Sequence, residues 1–148
     1  MAVLLDVNVL VALLWPAHTM NPIATEWFET LAAEKKAWAS CALTQAGAVR
    51  VLSNPALSQG TISAKRATAI LDENLRQPGH QQWPMDVDWP EALRLSQVEI
   101  ESHQQVTDIY LIGLAVKHKG SLATFDKALA RLHPSVILLS PPASRKSN

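Results

Sequence analysis

Residues Val106–Asp126, VTDIYLIGLAVKHKGSLATFD, constrain the fold more tightly than any other stretch of this chain. Thr107 and Asp108 suit the first turn of a helix, where side-chain oxygens accept from backbone N–H groups that have no partner inside the helix. Ile109, Leu111, Ile112, Leu114, Ala115 and Val116 give the helix broad apolar coverage, as expected where a helix packs on a sheet. Lys117, His118 and Lys119 fall in the last turn, where positive charge complements the helix dipole, and Gly120 suits the position just past the end. Ser121–Phe125 is short and mostly apolar, so it predicts a buried strand, closed by Asp126. One carboxylate thus opens a helix, and another ends the strand that follows. In open α/β sheets, ligands bind beyond the carboxyl ends of the strands. Each acid taken singly also has a plain structural reading. Asp108 can serve as a helix cap, and Asp126 as the cap of a last helix over Lys127–Leu132.

A third carboxylate has the same placement at the other end of the chain. Ala2–Leu5 predicts a central parallel strand buried on both faces, and Asp6 ends it. Asn8 is the expected cap of the next helix, which carries Val9, Leu10, Val11, Leu13 and Leu14 and stops at Pro16. Helices are expected over Asn21–Lys36, Thr44–Leu52, Ser63–Arg76 and Pro90–Leu95, with Asn21 capping the first and Pro22 at its first helical position. Strands are expected over Ala37–Cys41 and Ser135–Leu139, and a short edge strand within His80–Trp89. Asn54–Pro55 marks a turn. Trp83 and Trp89 read as core or loop packing rather than as a base-stacking platform. The five histidines read as surface or loop residues. Strands and helices alternate without a repeat or a linker. The fold class is therefore α/β with a mainly parallel sheet, in one domain over residues 1–140, with a disordered tail at 141–148.

Composition narrows the function. At 48% hydrophobic and 18% charged residues over 148 positions, the chain is globular rather than disordered. Its formal net charge of zero argues against a generally basic nucleic-acid-binding surface, though not against a local basic rim around an acidic site. The single cysteine, Cys41, has no internal partner and fits a reduced compartment as a small buried side chain. There is no Cys/His cluster with zinc spacing. The apolar start MAVLLDVNVLVALLW lacks a basic leader and is interrupted by Asp6, and no apolar run is long enough to span a bilayer. The expectation is a soluble, cytoplasmic protein with no membrane partner.

Asp6, Asp108 and Asp126 converge on one edge if the sheet is parallel. Without a cation, three carboxylates would raise one another's pKa values. Mg²⁺ or Mn²⁺ relieves that repulsion, prefers oxygen ligands, activates water and neutralises charge on a phosphoryl group. Carboxylates without Cys or His ligands therefore point to metal-assisted phosphodiester hydrolysis.

The segments LLDVNVLVAL, TQAGAVRVLSNP and VTDIYLIGLAVKHKGSLATFD resemble, in order and over nearly the whole chain, the three signature regions of PIN-domain ribonucleases. The similarity is greatest to VapC-type toxins of type II toxin–antitoxin pairs. The resemblance implies a PIN-like α/β/α sandwich, an endoribonuclease dependent on Mg²⁺ or Mn²⁺, homodimerisation and a cognate antitoxin partner. It also implies that Asp6, Asp108 and Asp126 are the catalytic, metal-holding acids, supported by Asn8 and Thr124. Arg50 matches a basic residue that commonly follows the second motif. With Lys117 and Lys127, it forms the expected rim that positions the RNA backbone. Gln45 departs from the pattern, because many relatives carry Glu there and no acid occurs between Glu34 and Asp72. It is expected beside the acidic pocket, where Gln45→Glu would tighten the metal. Two other functions remain open. One is a PIN-like module that binds RNA or antitoxin without cutting, which Gln45 favours. The other is phosphoryl transfer through Asp6 as an aspartyl nucleophile, which the absence of a lysine pattern for phosphate disfavours.

Overall fold

The computed structural model describes residues 1–140. The tail expected at 141–148 lies outside the described residues. Five parallel strands form one sheet: β1 (Val3–Leu5), β2 (Trp38–Ser40), β3 (His80–Gln82), β4 (Ser121–Thr124) and β5 (Val136–Leu138). Their spatial order is β3-β2-β1-β4-β5. The order reverses at β1, so the crevice beyond the carboxyl ends of β1 and β4 is the topological switch point of the sheet.

The helices are α1 (Val7–Leu14), α2 (Asn21–Ala33), α3 (Ala42–Leu52), α4 (Pro55–Ser58), α5 (Ala64–Leu75), α6 (Trp89–Ser96), α7 (Val106–Lys117) and α8 (Lys127–Ala130). They cover both faces of the sheet. Strand alternation sends Leu4, Ala39 and Leu122 to one face, where they meet Leu111, Ile112, Leu114 and Ala115 of α7 and Ala92 of α6. Val3, Leu5, Trp38 and Ala123 point to the other, against α1, α2, α3 and α5 through Val9, Leu10, Leu31, Ala48, Leu52, Ala67 and Leu71. This is the expected α/β/α sandwich. The central strand β1 reads as a continuous apolar run because both its faces are covered, whereas the edge strand β3, HQQ, is polar and partly exposed.

Several local expectations are corrected. Asn8 does not cap α1. Asp6 does, accepting from the Val7 N–H at 2.8 Å, and this frees the Asn8 side chain to cross to β4. Asn21 lies inside α2 rather than at its cap and donates to the Ala12 carbonyl at 2.8 Å. Asn54–Pro55 begins the one-turn helix α4, with Asn54 as its cap. Asp108 is not a cap either, since α7 starts at Val106 after a 3-10 turn over His103–Gln105. The left-handed residue after α7 is Lys119, at φ 56°, not Gly120. Gly120 is required for close approach, because a Cβ there would lie 2.7 Å from Trp83 Cη2 and nearer still to the Ala2 carbonyl oxygen. Four of the five histidines are partly buried; His18 and His133 lie in loops, while His80 and His118 pack structurally against the sheet and its flanking residues. His80 Nε2 lies 2.7 Å from the buried Ser40 hydroxyl, and the His118 ring stacks on Trp83. Cys41 is buried, as expected.

Candidate active site

The site is built where β1 and β4 end side by side. Leu5 pairs with Ala123, and the ladder continues through the Asp6 N–H, which donates to the Ala123 carbonyl at 3.0 Å. This register sets Asp6 opposite Thr124. The Thr124 hydroxyl, fully buried, donates to Asp6 Oδ2 at 2.7 Å. The Thr124 hydroxyl oxygen itself accepts from Asn8 Nδ2 at 3.3 Å and from the Asp126 backbone N–H at 3.1 Å. Asn8 Oδ1 in turn accepts from the Phe125 N–H at 3.3 Å. Thr124 is thus the hub that fixes Asp6, Asn8 and the backbone of Asp126 together.

A cavity of about 400 Å³ opens beside this hub, lined by Asp6, Leu43, Gly47, Arg50, Thr107 and Asp108, among others. Asp108 reaches it from the first turn of α7, and Arg50 from α3. Asp6 is 8% exposed. Burial pushes its carboxyl above the usual range; the bonds from Thr124 and Val7 oppose this, and the charge of Asp126 adds to it. Asp108 is pushed up to about 6, first by burial and then by the negative charges of Asp6 and Asp126. No described residue donates a hydrogen bond to the Asp108 carboxylate. Arg50 lines the same cavity but forms no ion pair with the acids among the described residues.

The three acids do not all meet as expected. Asp6 and Asp108 share the cavity wall. Asp126 is exposed at its rim, with Oδ1 held by the N–H groups of Ala128 and Leu129 at 2.8 and 3.2 Å. The capping duty at α8 turns this carboxylate aside while leaving it within electrostatic reach of the other two. Among the described residues, no three His, Cys, Asp or Glu side chains stand close enough to hold an ion jointly. The donor chemistry nonetheless fits a hard divalent cation. It consists of carboxylate oxygens alone, and Asp108 and Asp126 Oδ2 lack a hydrogen-bond donor among the described residues.

Two further expectations are corrected. Gln45 is not part of the cavity wall. Leu43, Gly47 and Arg50 share one side of α3, and Gln45, two residues from both Leu43 and Gly47, is turned about 200° away at ~100° per residue. Its amide donates instead to Ser40 Oγ at 2.8 Å and Gln82 Oε1 at 2.6 Å, bridging the ends of β2 and β3. Lys117 sits nine residues beyond Asp108, roughly 14 Å along α7 at ~1.5 Å per residue, at the opposite edge of the sheet. Lys127, adjoining Asp126, stays at the rim. Leu43 and Gly47, which the sequence did not single out, complete the wall with Thr107, which was expected only as a first-turn residue of α7. The i, i+4, i+7 spacing of Leu43, Gly47 and Arg50 was the available signal for the α3 side. Gly47 lets α3 approach α1, since a Cβ there would lie 2.7 Å from Val7 Cγ2.

Two expected results follow from these contacts. Thr124→Val keeps shape but leaves the Asp6 carboxylate and the Asn8 amide short of a buried partner. It should cost about 1.5–3 kcal/mol in denaturant unfolding, the range for bonds to charged groups. A wild-type midpoint would show that the hub carries no energy. Gln45→Glu loses both amide donations and faces the Gln82 carbonyl oxygen with a carboxylate. It should lower stability by about 1 kcal/mol and leave Mg²⁺ titration curves unchanged. A lower Mg²⁺ requirement would show that the side chain does reach the acids.

The fold and this acid-lined switch point define a PIN domain, and the chain belongs to the PIN domain family, whose model matches residues 3–133. Its sequence relatives include proteins named as VapC ribonucleases. Ribonuclease VapC39 of Mycobacterium tuberculosis is 39% identical over 130 residues, covering 88% of this chain and 92% of that protein. Ribonuclease VapC29 of the same organism is 37% identical, covering 95% and 98%. A crystal structure of VapBC2 from Rickettsia felis, bound to a DNA fragment from its promoter, superposes with a TM-score of 0.61. That match has 16% identity and covers 93% of this chain and 97% of that one, a likeness of fold.

Proposed function

We propose that the protein is an endoribonuclease that hydrolyses RNA phosphodiester bonds as the toxin of a toxin–antitoxin pair. The observation that carries the reading is the cavity pairing Asp6 with an unpartnered Asp108, whose carboxyl is raised to about 6 by burial and by its acidic neighbours. The similarity to VapC ribonucleases over 88% and 95% of the chain supports the choice of RNA. Asp6 and Asp108, with Asp126 beside them at the rim, would hold Mg²⁺ or Mn²⁺, which when bound supplies Lewis acidity toward water and offsets charge on the phosphoryl oxygens. The chain's own residues do the positioning. Thr124 and Asn8 orient Asp6, α8 holds Asp126 at the rim, and Arg50 and Lys127 offer positive charge to flanking phosphates. A cognate antitoxin, a homodimeric state and a cytoplasmic location belong to the same reading. Among the described residues, no helix is long and apolar enough to cross a membrane.

Purified protein should cut single-stranded RNA in Mg²⁺ or Mn²⁺ and stop in EDTA. Undiminished cutting in chelator would overturn the metal site. RNA bound but intact in Mg²⁺ would favour the binding-module reading.

A further inference from the structure

We propose that an apolar slot beside the acid cavity receives one unpaired nucleobase of the RNA, stacked against Trp89 and Tyr110. The identity of the polymer rests on the ribonuclease reading; the slot itself is a separate observation. It measures about 260 Å³ and is lined by Leu43, Met85, Trp89, Val106, Thr107 and Tyr110. Leu43 and Thr107 also line the acid cavity, so the two spaces are contiguous. No charged residue lines the slot, whereas the adjoining cavity holds Asp6, Asp108 and Arg50. This division matches the two parts of a nucleotide, a charged phosphate and an apolar base with a polar edge.

The walls are preformed. The Tyr110 hydroxyl donates to the carbonyl oxygen of buried Val87 at 2.8 Å, which fixes the ring. Trp89 begins α6 behind the Asp88 cap and is half-buried, so its position costs little further ordering on binding. Read from sequence as packing, it forms one wall of the slot instead. Met85 and Val106 leave apolar surface to solvent here, at 43% and 38% exposure. A base covering them would remove that surface from water. The hydroxyl of Thr107, on the ridge between the two spaces, makes no hydrogen bond among the described residues and can meet a base edge. Aromatic rings bind bases of any identity, but only unstacked ones, so the slot selects single-stranded RNA.

The test uses the full-length protein carrying Asp108→Asn, so that RNA stays intact in Mg²⁺. Single-stranded oligoribonucleotides would carry one 2-aminopurine, walked through every position. Binding should quench the probe at one or two adjacent positions. Adding Trp89→Leu, which keeps apolar contact but removes the ring, should abolish that quench and raise Kd roughly 5- to 100-fold. Met85→Glu, at an exposed position, should weaken binding without touching the core. RNA binding with no quenched position, or a quench indifferent to both substitutions, overturns the slot. If Trp89→Leu instead dissociates a dimer and leaves Kd unchanged, the surface belongs to a second copy of the chain, which also overturns it. Wild-type cleavage, assayed in parallel, separates the two readings. Cutting without a positional quench sinks the slot alone, and quenching without cutting sinks the ribonuclease reading alone. Absence of both RNA binding and cutting overturns both.

Discussion

Asp108→Asn should make the metal-free protein more stable while removing its activity. In EDTA, the folded protein holds the Asp108 carboxyl at about 6, against 3.8 for the unperturbed group. About two pKa units correspond to roughly 3 kcal/mol of unfavourable ionisation at pH 7, and partial solvent access reduces this to about 1–2 kcal/mol. Asparagine keeps the shape without the charge, so the variant gains that amount. The sign of the pH dependence follows. Between about pH 4 and pH 6 the folded state binds more protons than the unfolded state, so this group's contribution to stability falls as pH rises through that window. Asp6, also raised, acts in the same direction. Wild type should therefore lose stability on going from pH 4 to pH 7 relative to the variant, and the difference should level off above pH 7. Mg²⁺ should stabilise wild type far more than the variant, because occupation of a site stabilises in proportion to its affinity. Cleavage should fall by more than the roughly 10–100-fold typical of removing an outer partner of a metal ligand. Equal melting in EDTA across pH 4–7, together with wild-type cleavage, would reduce Asp108 to an ordinary first-turn residue of α7.

Gly113→Ala should destabilise the protein by about 3 kcal/mol or more. In an exposed helix, the same change would stabilise by about 1 kcal/mol. Here a Cβ would stand 2.6 Å from Ala92 Cα and 2.7 Å from its carbonyl carbon, and closer still to its carbonyl oxygen. These are backbone atoms of α6, so no side-chain rotation relieves the contact, and the two helices must part. Overpacking of this kind costs about 1–3 kcal/mol and occasionally more. Loss of the compact α6–α7 crossing adds to that, because Gly113, Ala92, Leu111 and Leu114 are all buried there. Since roughly 2–4 °C accompanies each kcal/mol at this size, Tm should drop by about 10 °C. Ala92→Gly should not rescue the variant, since the contact is with backbone. A rescue, or a wild-type Tm for Gly113→Ala, would show that the crossing opens freely. The variant also tests the site, because α7 carries Asp108 and Tyr110.

What sequence determined by itself is local or periodic. Apolar runs bounded by acids marked β1 and β4, and the periodicity of Ile109–Val116 marked α7. Alternation of the two element types implied a parallel sheet, and a parallel sheet necessarily brings the residues after β1 and β4 to one edge. Asp6 and Asp126 were legible for that reason, whereas Asn8 and Thr124 followed only from the resemblance to PIN-domain ribonucleases. Tertiary structure alone decided the rest, because rotation of a helix about its axis and competition for hydrogen bonds depend on packing. Asp6 rather than Asn8 caps α1 since Asn8 is drawn to Thr124 and Phe125. Gln45 faces Ser40 and Gln82 because α3 packs through Ala48 and Leu52, which turns Gln45 away from the acids. Asp126 stays at the rim because α8 holds one of its oxygens. The raised carboxyl of Asp108 appears only when folding buries it beside two other acids, since the energy of a charge depends on what surrounds it.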